Sequence, residues 1–162
     1  VILAGSCAQA TRQQIDAVRD HLPLLKLDAD AIARGDAVAQ QAADWAVEAG
    51  STPVIYASAD PDEVAQTQKH HGAQHAGEMI ERTFAEIART LVARDFRQIV
   101  VAGGETSGAV LEGLGVSALK IHAEIAPGVP WTTTQDDRLA LALKSGNFGG
   151  PDFFSRAFEV LA

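Results

Sequence analysis

The stretch Val100-Val101-Ala102-Gly103-Gly104-Glu105-Thr106-Ser107-Gly108-Ala109-Val110 passes from an apolar, β-prone run through a double glycine into a segment of helical character. Glycine has no Cβ, so the chain can turn sharply there and bring backbone N–H groups toward an anion at the positive end of the next helix. Thr106 and Ser107 add hydroxyls to the turn. Gly103 to Gly108 has the G-x-x-x-x-G spacing of a Walker A loop, but Ala109-Val110 stands where that loop needs Lys-Ser/Thr, which argues against an ordinary P-loop. Two other turns share the pattern. Lys144-Ser145-Gly146-Asn147-Phe148-Gly149-Gly150 follows an apolar run and precedes a helix-like segment, and Ala4-Gly5-Ser6-Cys7-Ala8 follows the first apolar run.

Apolar β-prone runs recur at 1–4, 24–27, 54–57, 99–102, 119–125 and 139–143, with longer helical patterns between most of them. This alternation predicts an α/β fold, a three-layer Rossmann-like domain with a largely parallel sheet. In such a sheet the turns after the strands collect at the carboxyl edge, where open α/β folds bind ligands. The three glycine turns are therefore expected to line one anion or nucleotide pocket.

Thr11-Arg12-Gln13-Gln14 reads as a capping box opening the first helix, with Ile15, Val18 and Leu22 on one side. A second helix carries Val38, Ala42, Trp45 and Ala49 and stops at Gly50, with Trp45 expected in the core. Ile80, Phe84, Ile87 and Leu91 mark the clearest amphipathic helix. Pro127-Gly128-Val129-Pro130-Trp131 reads as an ordered loop or flap, because a Pro-Gly turn and a second proline exclude helix and central strand. Residues 151–161 read as a last helix with Phe153, Phe154, Ala157 and Leu161 available for packing.

The chain has 162 residues, 47% of them hydrophobic, which suits one soluble globular domain. Its 13 Lys and Arg against 21 Asp and Glu give a net charge of -8, which argues against nonspecific binding to nucleic acid or to an anionic membrane. No apolar stretch approaches the roughly 20 residues that span a bilayer, and no basic leader precedes Val1, so the chain reads as cytoplasmic. It begins without Met inside a strand-like run, as a piece of a longer protein would. Cys7, the single cysteine, is expected to be a small buried core thiol.

Gly113-Leu114-Gly115-Val116-Ser117-Ala118 matches G-x-G-x-x-A but ends a helix instead of opening one, and is read as a helix stop. That leaves a nicotinamide-dependent oxidoreductase without its turn. His70, His71 and His75 are read as a solvated loop and helix entrance, and His122 with Glu124, two apart on a strand, does not complete a ligand set, so no metal site is assigned to the protein. Glu105 suits either a Mg²⁺ or ribose contact or simple placement at a helix N-terminus. Lys144 is either a phosphate counter-charge or an exposed strand-end lysine.

Gly5-Ser6-Cys7, Gly103-Gly104-Glu105-Thr106-Ser107-Gly108, Glu124-Ile125, Pro127-Gly128-Val129-Pro130-Trp131 and 141–149 occur in an order that resembles the four-carbon acid sugar kinase family, formerly a domain of unknown function. The likeness is to its C-terminal nucleotide-binding domain and covers nearly the whole chain, 1–162. It implies ATP-dependent phosphorylation of threonate, erythronate or 3-oxo-tetronate type acids. It also implies an N-terminal substrate domain absent from this chain, a Mg²⁺ ion with ATP, and a homodimer as one possible assembly. The resemblance places ATP contacts at Ser6, Gly103, Gly104, Glu105, Thr106 and Gly146, with Lys144 and Asn147 as neighbours. No catalytic base is identified in the chain, and the resemblance implies that the base belongs to the missing domain. The isolated chain is thus expected to bind ATP without turnover. The alternative is a noncatalytic nucleotide- or small-acid-sensing module. Two departures from the family pattern stand out: Ala8 replaces a serine, and Ala126 replaces an acidic residue.

Overall fold

Runs of consecutive apolar residues form the centre of the sheet, because a strand covered by helices on both faces needs no polar alternation. A computed structural model describes residues 1–58 and 72–161. The strands are β1 (Ile2–Ala4), β2 (Leu24–Lys26), β3 (Val54–Tyr56), β4 (Gln98–Ala102), β5 (Leu119–Ala126), β6 (Val129–Thr134) and β7 (Ala140–Lys144). They make one sheet in the order β2-β3-β1-β4-β7-β6-β5. The first five in that order are parallel, while β6 and β5 are antiparallel additions at one side. Ile2 of β1 lies in register between Val54 and Val100, and all three are fully buried.

The helices are α1 (Gln9–Val18), α2 (Ala29–Ala33), α3 (Val38–Glu48), α4 (Ala73–Ala93), α5 (Gly104–Leu114) and α6 (Phe153–Ala157), followed by a 3-10 turn at Glu159–Leu161. Alternate strand residues define two cores. Leu3, Ile55, Ile99, Val101 and Leu141 pack with Ala42 of α3, Phe84 of α4 and Val110 of α5. Ile2, Val54, Val100 and Ala142 pack with Ile15 of α1 and with Phe153 and Phe154 of α6 on the other face. The result is the expected α/β three-layer arrangement. Adjacent strands β1 and β4 feed helices on opposite faces, and this divergence opens a crevice at the carboxyl edge between them.

Four expectations change. Residues 127–131 are no flap: Pro127-Gly128 is the tight turn of the β5–β6 hairpin, closed by the Ala126–Val129 pair. Pro130 is tolerated inside β6 because it faces Glu124 between two register shifts, while pairing with β7 is recorded from Trp131 onward. Trp131 is buried and its indole N–H donates to the Ala157 carbonyl at 2.6 Å. The capping box is absent: α1 starts earlier, after Ala8, without a side-chain cap, and Thr11 and Gln14 are buried. Cys7 is exposed, because it sits in the turn before α1 and not in the strand. The last helix is shorter than 151–161, although Phe153, Phe154 and Ala157 are buried as expected. Trp45 is half-buried against the core. His75 is exposed on α4, and His70 and His71 lie outside the described residues.

Candidate functional site

The three glycine turns leave β1, β4 and β7, which are neighbours in the sheet, and they meet at its carboxyl edge. The β1 and β4 turns are sewn together by backbone: the Gly5 and Ser6 amides both donate to the Ala102 carbonyl, at 3.0 and 3.1 Å. The Gly103 amide in turn donates to the Lys144 carbonyl at 2.8 Å, which ties the β4 turn to β7. Glycine is required by proximity. A Cβ on Gly5 would collide with Thr106 Oγ1, and one on Gly146 with Ser6 Oγ and Ala8. Gly103 combines a φ of 132° with a close approach to both Thr106 and Ser6.

Thr106 and Ser107 are buried in the first turn of α5, and the Ser107 hydroxyl donates to the Gly103 carbonyl at 2.7 Å. Gly104 and Glu105 are exposed, and a Cβ on Gly104 would meet nothing within 4 Å. The N-terminus of α5 is therefore bare, a backbone surface that an anion can approach closely. Ser6 is half-buried, and its Oγ accepts from the Ala8 amide at 3.2 Å, so its own proton remains for an acceptor. Ser58, two residues beyond β3, donates to the Ser6 carbonyl and fixes the turn from the third side.

The β7 turn has a polar underside. Lys144 is only 1% exposed, and its Nζ donates to Thr11 Oγ1 at 3.1 Å, to the Ser145 carbonyl at 3.1 Å and to the Gly146 carbonyl at 3.2 Å. Thr11 Oγ1 itself donates to the Gly146 carbonyl at 2.9 Å. Gln14, one helical turn on, spreads Nε2 across the carbonyls of Phe148, Gly149 and Gly150 at 3.0–3.1 Å. Burial lowers the Lys144 pKa from 10.5 to about 8. Two buried atoms beside this network, Arg12 Nε and Gln14 Oε1, have no partner among the described residues.

Of the residues singled out in sequence, Gly103 closely approaches both Thr106 and Ser6, and Gly146 approaches Ser6 from the other side. Gly104 and Glu105 stand at the rim, and Asn147 is exposed in the β7 turn. Lys144 lies beneath the turn instead of facing the crevice, and each of its N–H bonds is taken by the protein. It therefore cannot also donate to a phosphate from this position. Ser58 went unnoticed in sequence, and Thr11 and Gln14 were read only as a helix cap. A T-x-x-Q spacing on one helical face was the visible signal for the last two, but it was assigned to the wrong acceptors. Gly128 approaches the Phe148 ring, so the β5–β6 turn packs on the β7 turn and the PGVPW and KSGNFG stretches meet in space.

This geometry agrees with the family comparison. Residues 1–154 match the family described as the nucleotide-binding C-terminal domain. The chain belongs to that family. It is 52% identical to a 3-oxo-tetronate kinase of Cupriavidus necator, covering 99% of this chain and 38% of the relative. A 3-oxo-tetronate kinase of Pseudomonas savastanoi is 48% identical over 100% of this chain and 38% of the relative. A crystal structure of a Haemophilus influenzae protein superposes with a TM-score of 0.95 at 35% identity, covering 100% of this chain and 40% of that one. A Bordetella bronchiseptica structure, a domain-swapped dimer with bound citrate, shares the fold at a TM-score of 0.75, 22% identity, and coverage of 97% and 39%. The chain thus spans about two-fifths of the length of these relatives.

Proposed function

We propose that this chain is the ATP-holding part of a kinase for four-carbon sugar acids of the 3-oxo-tetronate, threonate or erythronate type, working in the cytoplasm. The observation that supports this reading best is the convergence of Ser6, Gly103, Thr106 and Gly146 at the bare N-terminus of α5. Gly104 and Gly146 offer backbone to the phosphates, Ser6 and Thr106 bring hydroxyls to the same turns, and Asn147 stands at the rim. Among the described residues no group of His, Cys, Asp and Glu gathers as a metal site. Mg²⁺ would therefore arrive on the nucleotide phosphates, with exposed Glu105 the nearest carboxylate offered by the α5 turn. ATP supplies the transferable phosphoryl group. The residues of this chain hold and orient it while leaving its far end open to an acceptor.

The acceptor pocket and the base at the sugar hydroxyl are assigned to the part by which the relatives exceed this chain. Among the described residues no helix is long and apolar enough to cross a membrane. Calorimetry of the 162-residue chain with Mg·ATP is expected to show saturable one-site binding, and phosphate-release assays with the same sample no turnover. The full-length polypeptide is expected to phosphorylate the acid. Absence of binding by a folded sample would remove the nucleotide reading, and full turnover by the chain alone would remove the assignment of the base.

A further inference from the structure

Ser145, Gly146, Phe148, Gly149 and Gly150 all have their carbonyls engaged from inside the protein by just three side chains, Lys144, Thr11 and Gln14. Two of the three come from α1, more than 130 positions away in sequence. A loop of this composition, Ser-Gly-Asn-Phe-Gly-Gly, has little intrinsic preference for one backbone path. We propose that Lys144, Thr11 and Gln14 form a buried clasp that presets the β7 turn for phosphate by drawing its carbonyls inward. They are positioning residues that act through the loop, and none of them touches the nucleotide. This inference rests on the nucleotide reading above.

At Lys144 and Thr11 the donors and acceptors of the clasp are matched. An ammonium has three N–H bonds and no lone pair, and Lys144 meets Thr11 Oγ1 and two carbonyls. Thr11 accepts from Lys144 through a lone pair and donates its single proton to Gly146. A carboxamide nitrogen adds two more donors at the distal part of the loop. Apart from the Thr11 hydroxyl every acceptor is a backbone carbonyl, so the network is directed at the loop backbone. A peptide whose carbonyl is drawn inward turns its N–H the other way, and Gly146 sets this loop beside Ser6 at the rim of the crevice, which on the proposal is where those N–H groups meet phosphate. The buried charge of Lys144 adds a positive field behind the same surface. Phosphate is thereby favoured without a direct lysine contact.

The test uses Thr11→Val, Gln14→Leu and Lys144→Met in the full-length protein, with Thr11→Ser as the conservative control. The expected result is a rise of about tenfold or more in KM for ATP, with kcat and the KM of the acid within about twofold, and recovery in Thr11→Ser. Folded variants with an unchanged KM for ATP overturn the proposal, as does an equal fall in kcat for both substrates without a change in KM. If the variants fail to fold, backbone 15N relaxation on the wild type without nucleotide decides. Order parameters of about 0.85 for the amides at 145–150 support a preset turn, and values below about 0.6 overturn it. Calorimetry of the wild type with Mg·ATP judges the nucleotide reading separately. Absence of heat there removes the site's ligand, whereas a rigid turn with normal binding but unaltered variants removes only the clasp.

Discussion

Gly146 and Gly104 are both turn glycines, yet the space around them gives opposite expectations. A methyl on Gly146 would be driven into Ser6 Oγ and Ala8, so Gly146→Ala must displace one of the two turns. Gly104→Ala meets open space at the first position of α5 and gains helix propensity, so its folding stability is expected to stay level or rise by up to about 1 kcal/mol. If that open space is where phosphate lies, Gly104→Ala should still weaken Mg·ATP binding by about tenfold or more, roughly 1.4 kcal/mol. Thermal melts and calorimetry on the two variants separate damage to the fold from damage to the site. A Gly104→Ala protein that binds as wild type would move the phosphates away from α5.

Lys144 gives a second expectation at this scale. Its folded-state pKa of about 8 lies below its ordinary value of 10.5, because burial disfavours the charge. Between those values the unfolded state binds more protons than the folded one, so this group's contribution to stability rises with pH. Below about 8 both states are protonated and the folded state carries the full desolvation cost. Urea titrations of wild type and Lys144→Met from pH 7 to 9.5 should therefore show the difference between them moving in favour of the wild type as pH rises through 8. A constant difference would mean that the ammonium is not desolvated.

At the scale of elements, one G-x-G stretch turns out to hold two different devices. Gly115 is the helix stop expected from sequence, in the left-handed region at φ 67°, capping α5. Gly113 instead sits where α5 crosses α4, and a Cβ there would lie 2.9 Å from the Cβ of Ala85 and 3.3 Å from its backbone. Gly113→Val is thus expected to force the helices apart, at a cost of about 1–3 kcal/mol in chemical denaturation. The affinity of the folded fraction for Mg·ATP should change little, because this crossing lies at the opposite end of α5 from the turn. The β5–β6 hairpin shows the complementary lesson. Proline rules argued against a strand at 129–131, but those rules concern a missing N–H, and a bulge in the partner strand removes the need for it.

For the molecule as a whole, α/β layering and the position of the glycine turns were legible from apolar runs and intervening helical periods. Strands buried on both faces and turns needing close backbone approach leave strong local marks. The resemblance to a nucleotide-binding domain was legible because Gly103-Gly104-Glu105-Thr106, Pro127-Gly128 and Lys144-Ser145-Gly146 occur in order, and each lies at the carboxyl edge. Less was legible where a side chain's partner is remote. Thr11 and Gln14 fitted a local cap by spacing, and Lys144 at its strand end fitted either a phosphate counter-charge or an exposed lysine. Local spacing names the donor and its reach, but many acceptors lie within that reach.

The sequence by itself determined the sheet's central strands, the three glycine turns and the family of the fold, since these follow from hydrophobic period and from backbone freedom encoded residue by residue. Only the tertiary structure decided that α1 grips the loop after β7, that Lys144 points inward, and that Pro130 belongs to a strand. Each of those depends on which polar group meets which across more than a few residues, or on the pairing of a neighbouring strand. The buried carbonyls of the β7 turn must be satisfied by whatever donors packing brings near, and packing is a property of the whole chain.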